Sequence, residues 1–231
     1  VDLPQDVLDH GDRVFGLLDQ GLDEQAEPEL RALLRQVERH LGPDEPGTVE
    51  LYDVLGGVLY RLHRLPESEA MHREALTRYR RSLGPEDATT LACAHNLGTT
   101  LVMRGEVEEG TALLEETYRL RTAADGPDDP DTLVSAKTLG SILFTHHDRP
   151  RGLALLEDTH ARCLREFGRD DELTLDTCSD LAAALWESDR RTEAAQLLIG
   201  LFQDYHRLAG WDHPLTQQTR ERLFRMGVRV Q

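Results

Sequence analysis

Glycine recurs at Gly42, Gly84, Gly126, Gly168 and Gly210, each 42 residues from the next. Six positions after each stands a threonine: Thr48, Thr90, Thr132, Thr174 and Thr216. Pro46, Pro130 and Pro214 come two residues before three of those threonines. A fixed period of this length is the signature of one supersecondary unit stacked on copies of itself, and it constrains the fold more than any other feature of the chain. The punctuation reads LGPDEPGTV, LGPEDATTL, DGPDDPDTL, FGRDDELTL and AGWDHPLTQ. Pro4 and Asp6 stand one period before Pro46 and Thr48, so the sequence holds five periods and half of a sixth.

Each marker combines a stop with a start. Glycine adopts positive φ just past a helix end, and a following proline prevents continuation. A Thr or Asp ahead of the next amphipathic run accepts a hydrogen bond from an otherwise unpaired amide, and nearby acidic residues suit the positive helix end. Between markers the apolar spacing is helical. Leu91, Ala94, Leu97, Gly98 and Leu101 recur as Leu133, Ala136, Leu139, Gly140 and Leu143, then as Leu175, Cys178, Leu181, Ala182 and Leu185. That is one face of a helix. The small residues Gly56, Gly98, Gly140 and Ala182 mark where a neighbouring helix approaches closely, which offsets the roughly 1 kcal/mol that a mid-helix glycine costs. Second helices follow short breaks near His63, Gly105, His147 and Asp189. The expected pairs cover residues 5–41, 48–83, 90–125, 132–167 and 174–209, with a final helix over 216–227. One such pair cannot bury both its faces, so the fold expected is an all-α solenoid forming a single array over 1–231.

These residues resemble tetratricopeptide repeats, specifically the 42-residue form of kinesin light chains and of many bacterial multidomain regulators. The segment Leu91 to Leu101, with AHNLGTTL inside it, looks like the first helix of that family, and the resemblance covers essentially the whole chain. It assigns the second helix's small position to Ala70, Ala112 and Ala154, from which Gln196 departs. It implies a right-handed superhelix whose first helices line a concave groove for a peptide or a segment of a partner protein. Combining that geometry with the helical period puts the residue one beyond each core position on the groove. The contacts expected are Phe15 in the first repeat, Glu50, Asp53 and Tyr60 in the second, and His95, Asn96 and Thr99 in the third. Lys137, Ser141 and Phe144 follow in the fourth, Asp176, Ser179 and Trp186 in the fifth, and Glu221 and Arg225 in the last half. Asn96 occupies a position where the family often carries an asparagine that holds an extended ligand's backbone, but Val54, Thr138 and Asp180 break the ladder. Trp211, in an inter-repeat turn, is expected to cover the end of the adjacent pair.

Composition narrows the partners. Forty-three acidic against 26 basic residues give a formal charge of -17. Affinity for nucleic acid depends on neutralising phosphates with Lys and Arg, so neither nucleic acid nor an anionic membrane is expected as a partner. No apolar run approaches the roughly 20 residues that span a bilayer. The opening VDLPQDVLDH has no basic stretch followed by an apolar core, and Cys93, Cys163 and Cys178 form no CxxC pair, so a soluble cytoplasmic protein is expected.

Catalysis is not expected. The sequence has no phosphate-binding GxxxxGK[ST] loop, no nucleophile elbow and no dinucleotide fingerprint. His146, His147 and Asp148 fall at a turn without the i, i+4 histidine pair of a zinc helix, so neither a metal nor another cofactor is expected. His160 shares a register with Leu76, Tyr118 and Phe202 and reads as a packed, hydrogen-bonded histidine. Cys178 reads as a small core filler, and Cys93 as nearer the surface. The function expected is a peptide- or protein-binding module, the sensor or scaffold part of a bacterial regulator. Self-association through the chain ends or the groove, and a small-molecule sensor using the groove aromatics, stand as alternatives.

Overall fold

A computed structural model describes residues 3–229, and all regular structure among them is helical. Four helices precede the middle of the chain: α1 (Gln5–Asp19), α2 (Asp23–Leu41), α3 (Pro46–Arg61) and α4 (Leu65–Ser82). They are followed by α5 (Ala88–Arg104), α6 (Val107–Ala124), α7 (Pro130–Ile142), α8 (Arg149–Glu166), α9 (Glu172–Glu187), α10 (Arg191–Ala209) and α11 (Pro214–Arg225). A five-residue π-helical turn, Leu143–His147, joins α7 to α8. The chain forms two compact units, Val1–Leu120 and Arg121–Gln231. Inside each, consecutive helices pack against one another: α1 to α5 in series in the first, α7 to α11 in series in the second.

The five marker glycines all adopt positive φ, between 82° and 95°. The helix starts differ from the expected ones. Asp87, Asp129 and Asp171, three residues before the threonines, are the capping residues, each carboxylate accepting from the amides two and three positions on at 2.9–3.4 Å. The carboxylate is the better acceptor for amides at a positive helix end, and proline at the first helical position lacks the amide that would need a partner. The helices therefore begin two residues early, with the threonine one turn inside. There Thr48 and Thr216 donate to the carbonyls of Gly42 and Gly210 at 2.8 and 2.9 Å, tying each start to the preceding stop.

The turn inside each pair closes with the same bond five times. An amide donates to the carbonyl five residues back: Leu22 to Leu17, Arg64 to Leu59, Glu106 to Leu101, Asp148 to Leu143 and Arg190 to Leu185, at 2.8–3.0 Å. Gly105 meets the required left-handed turn with φ 98°, while His63 and Asp189 are held there as non-glycine residues at 57° and 60°.

Close approach inside a pair falls where expected on the first helix, at Gly56, Gly98 and Gly140, and elsewhere than expected on the second. A Cβ on Gly98 would lie 2.7 Å from Leu114 Cγ, and one on Gly152 would lie 2.3 Å from the Phe144 amide nitrogen. The second helix's small position is thus the column of Ser68, Gly110, Gly152 and Ala194, all buried. Ala70, Ala112 and Ala154, two residues further on, are exposed, because two residues turn a helix by about 200°.

Candidate functional site

In the first unit, α3 and α5 present Tyr60, His95, Asn96 and Thr99 to one open pocket of about 280 Å³. Gly57, Arg61, His72 and Thr100 complete its lining. Four residues expected on the groove, from two successive repeats, are thereby brought together. Burial raises the Tyr60 phenol above its ordinary pKa, so the ring enters the site neutral. The Arg61 guanidinium grips both carboxylate oxygens of Asp23 at 2.7 Å, and that hydrogen bonding, opposed by burial and aided by the charge, holds Asp23 below the usual carboxylate range. Thr99 and Thr100 turn their hydroxyls back to the carbonyls of His95 and Asn96 at 3.0 and 2.8 Å. Asn96 is exposed. Glu50 is exposed too, on the same helix as half-buried Asp53, whose Oδ1 lies 2.7 Å from His72 Nδ1. Phe15 on α1 is 40% exposed and does not line the pocket.

The second unit holds a larger opening of about 570 Å³ between α7 and α9, where Lys137 Nζ pairs with Asp176 Oδ2 at 3.2 Å. Pro130, Val134, Phe167 and Leu173 give it apolar walls. Ser141 and Ser179 lie outside that pocket. Ser141 Oγ donates to Asp180 Oδ2 at 3.2 Å, and burial raises Asp180 against the opposing effects of Lys137 and that hydroxyl. Ser179 Oγ accepts from Arg222 at 2.8 Å. Trp186 is half-buried with the Arg191 guanidinium 5.2 Å from its ring. Glu221 and Arg225 are exposed, 3.7 Å apart on α11. Trp211 packs edge-on to Phe202 and His206 at 6.0 and 5.5 Å.

Phe144 departs from its expected place. It is 5% exposed and belongs to the core with Leu156, Leu181 and Leu185, the Arg149 guanidinium 4.6 Å from its ring. Its column partners Tyr60, Val102 and Trp186 remain half-buried. The local difference is the π-helical turn that begins at Leu143 and changes the winding at this residue.

Cys93, expected nearer the surface, is fully buried, as is Cys163; all three cysteines are free thiols. His160 is half-buried with Nδ1 3.2 Å from Thr177 Oγ1, and burial lowers its pKa. Asp148 caps α8 by accepting from the Arg151 amide at 3.0 Å, beside exposed His146 and His147. One residue that the sequence reading missed is His72, 1% exposed on α4. The signal was present: one period apart in its column stand Leu30, Leu114, Leu156 and Leu198, so a histidine there occupies a core position.

Among the described residues, no helix is long and apolar enough to cross a membrane. No curated protein matches the sequence. The putative kinesin light chain of Podosopora anserina, with nearly identical TPR-like repeats, is similar in structure. Its TM-score is 0.73 at 18% identity, over 90% of this chain and 99% of that one. The apo quorum sensor NprR from B. thuringiensis gives 0.77 at 15% identity, over 96% of this chain and 59% of its own. A Rap protein complexed with Competence and Sporulation Factor gives 0.70 at 10%, over 93% and 63%. At such identities the likeness carries the fold. Tetratricopeptide repeat profiles match residues 14–81 and 51–109, and again 90–131 and 174–215. With more than half of the sequence matched, on helix pairs punctuated every 42 residues, the chain belongs to the tetratricopeptide repeat family.

Proposed function

We propose that this repeat array is a binding module without chemistry of its own, whose first-helix face takes an extended segment of a peptide or partner protein. The observation that carries the reading is the open pocket in which Tyr60, His95, Asn96 and Thr99 meet. A peptide bond offers a donor and an acceptor together, and the exposed Asn96 amide supplies the complement to both. Tyr60 adds aromatic area of the kind that dominates binding energetics. The excess of acidic residues favours segments carrying Lys or Arg, by attraction over the whole surface. The similar Rap protein was determined with Competence and Sporulation Factor, and NprR is a quorum sensor, which supports a role as the sensor or scaffold region of a bacterial regulator. Three free, buried thiols fit a reducing, cytoplasmic setting.

The test is selection of extended peptides from a displayed library on the wild-type chain, followed by affinities for a Tyr60→Ala/Asn96→Ala variant of unchanged helicity. A loss of about tenfold or more, equal to about 1.4 kcal/mol, is expected. Equal affinity in the folded variant would remove this pocket as the binding site.

Self-association is a second reading, favoured by Phe224 and Leu215 on α11, which are 71% and 41% exposed. Light scattering across the micromolar range decides it: a mass that grows with concentration, and stops growing in Phe224→Ser, supports it, and a constant monomer mass ends it.

A further inference from the structure

We propose that Asp53, His72 and Cys93 form a binding site for a divalent transition metal of the zinc class, which would join α3, α4 and α5. The site goes beyond the polypeptide-binding reading and does not depend on it.

The three side chains come from three successive helices, and their ligand atoms all lie within 4.8 Å of one another. His72 and Cys93 are 1% and 0% exposed. Ordinary repeat packing does not call for them. In the other periods the His72 column is leucine throughout, at Leu30, Leu114, Leu156 and Leu198, and the Cys93 column carries Asp9, Leu51, Ser135, Thr177 and Thr219, none of them a thiol. The imidazole fits only because its neighbour is Gly56, where a Cβ would fall 2.6 Å from His72 Cε1 and Nδ1. One repeat junction therefore gathers nitrogen, sulfur and carboxylate donors around a position that the other periods fill with leucine.

The donor set suits the ion. Zinc binds thiolate at about 2.3 Å, imidazole at about 2.0–2.1 Å and carboxylate at about 2.0–2.2 Å, which puts tetrahedral ligands about 3.3–3.7 Å apart. The 2.7 Å separation of His72 Nδ1 and Asp53 Oδ1 has to open slightly, and the wider separations have to close by about an ångström. The Cys93 thiol donates weakly to the His72 carbonyl at 3.5 Å. Burial chiefly, and the Asp53 carboxylate next, push that thiol's pKa up, so it is protonated. On binding, the thiol proton leaves to solvent and a sulfur–metal bond forms, with no change of oxidation state. One carboxylate and one thiolate cancel the two charges of the ion beside a neutral imidazole, so the buried complex carries no net charge and avoids the cost of an uncompensated ion. His72 also lines the pocket between α3 and α5, a route by which water can supply the fourth ligand.

The test is titration of the chelator-stripped full chain with Co2+, read by the thiolate-to-cobalt charge-transfer band, and then displacement by Zn2+. One equivalent is expected, with the band kept in Cys163→Ser and lost in Cys93→Ser. His72→Leu installs the residue that the column carries elsewhere, so helicity should survive while affinity falls more than about 100-fold. The proposal is overturned if the wild-type chain shows no thiolate band, if folded His72→Leu keeps it, or if Cys163→Ser abolishes it.

Discussion

Gly152 and Gly200 lie in equivalent second helices and meet opposite surroundings. An added Cβ would strike the Phe144 backbone at 2.3 Å in the first case and meet nothing within 4 Å in the second. Gly152→Ala should therefore lose about 1–3 kcal/mol, overpacking outweighing the gain in helix propensity. Gly200→Ala should gain about 0.5–1 kcal/mol. Urea unfolding midpoints measure both, and a stabilising Gly152→Ala would refute the close approach. His160 makes a pH prediction. Burial holds its folded pKa below that of the unfolded chain, so the unfolded state takes the proton first as pH falls. The stability it contributes is full above about pH 6.5 and declines below. His160→Phe, using the residue found at Phe202 in the same column, should flatten the fall of Tm between about pH 7.5 and about pH 5.5; parallel slopes would show that His160 is not the group responsible. At this scale the sequence was legible where a column repeats one chemistry, as at Gly56, Gly98 and Gly140. It was less legible where position within the turn decides. Ala70, Ala112 and Ala154 were read two residues out of register, and neither His72 nor the buried state of Cys93 was read, although the leucine column around His72 pointed to the first.

The helices themselves were legible almost throughout, since the 3.6-residue pattern and the marker glycines act together. Their starts were less so. Thr48 and its counterparts recur so regularly that they look like the caps, yet Asp87, Asp129 and Asp171 hold the first amides and the threonines sit inside. Asp129→Ala should consequently cost about 1 kcal/mol in Tm-derived stability, while Glu45→Ala, at a start where the side chain makes no capping bond, should change little. Equal effects would mean that the carboxylate's hydrogen bonds contribute nothing at α7. The π-helical turn after α7 was invisible in the pattern, and with it the inward turn of Phe144: His147 stands in the column of Gly105, as His63 and Asp189 do, and only the chain's local winding separates them. Of the expected contact residues, the groups at α3 and α5 converge because adjacent periods present the same helix face, whereas those on α11 have no later helix to meet among the described residues.

Across the molecule, successive pairs are joined by exposed or half-buried ion pairs that follow the period. Arg31–Glu67, Arg61–Asp23 and Arg73–Glu109 stand in the first unit, and Arg165–Asp128 and Arg149–Glu187 in the second, all at 2.7–2.8 Å. Each such pair contributes only about 0–1 kcal/mol, whereas the formal charge of -17 repels itself over the whole surface. Moderate salt should therefore raise Tm, since screening relieves the repulsion more than it weakens the pairs; scanning calorimetry at low and physiological ionic strength checks it, and a falling Tm would make the ion pairs the larger effect. The constant distance between stop and start has a further consequence for how such a gene changes. Excision of residues 127–168 would join Gly126 to Arg169 and deliver Asp171 to the place Asp129 held, three positions beyond the left-handed glycine. Recombination in whole periods thus keeps every helix face in phase, so that length is a heritable variable of this protein separate from the design of its parts.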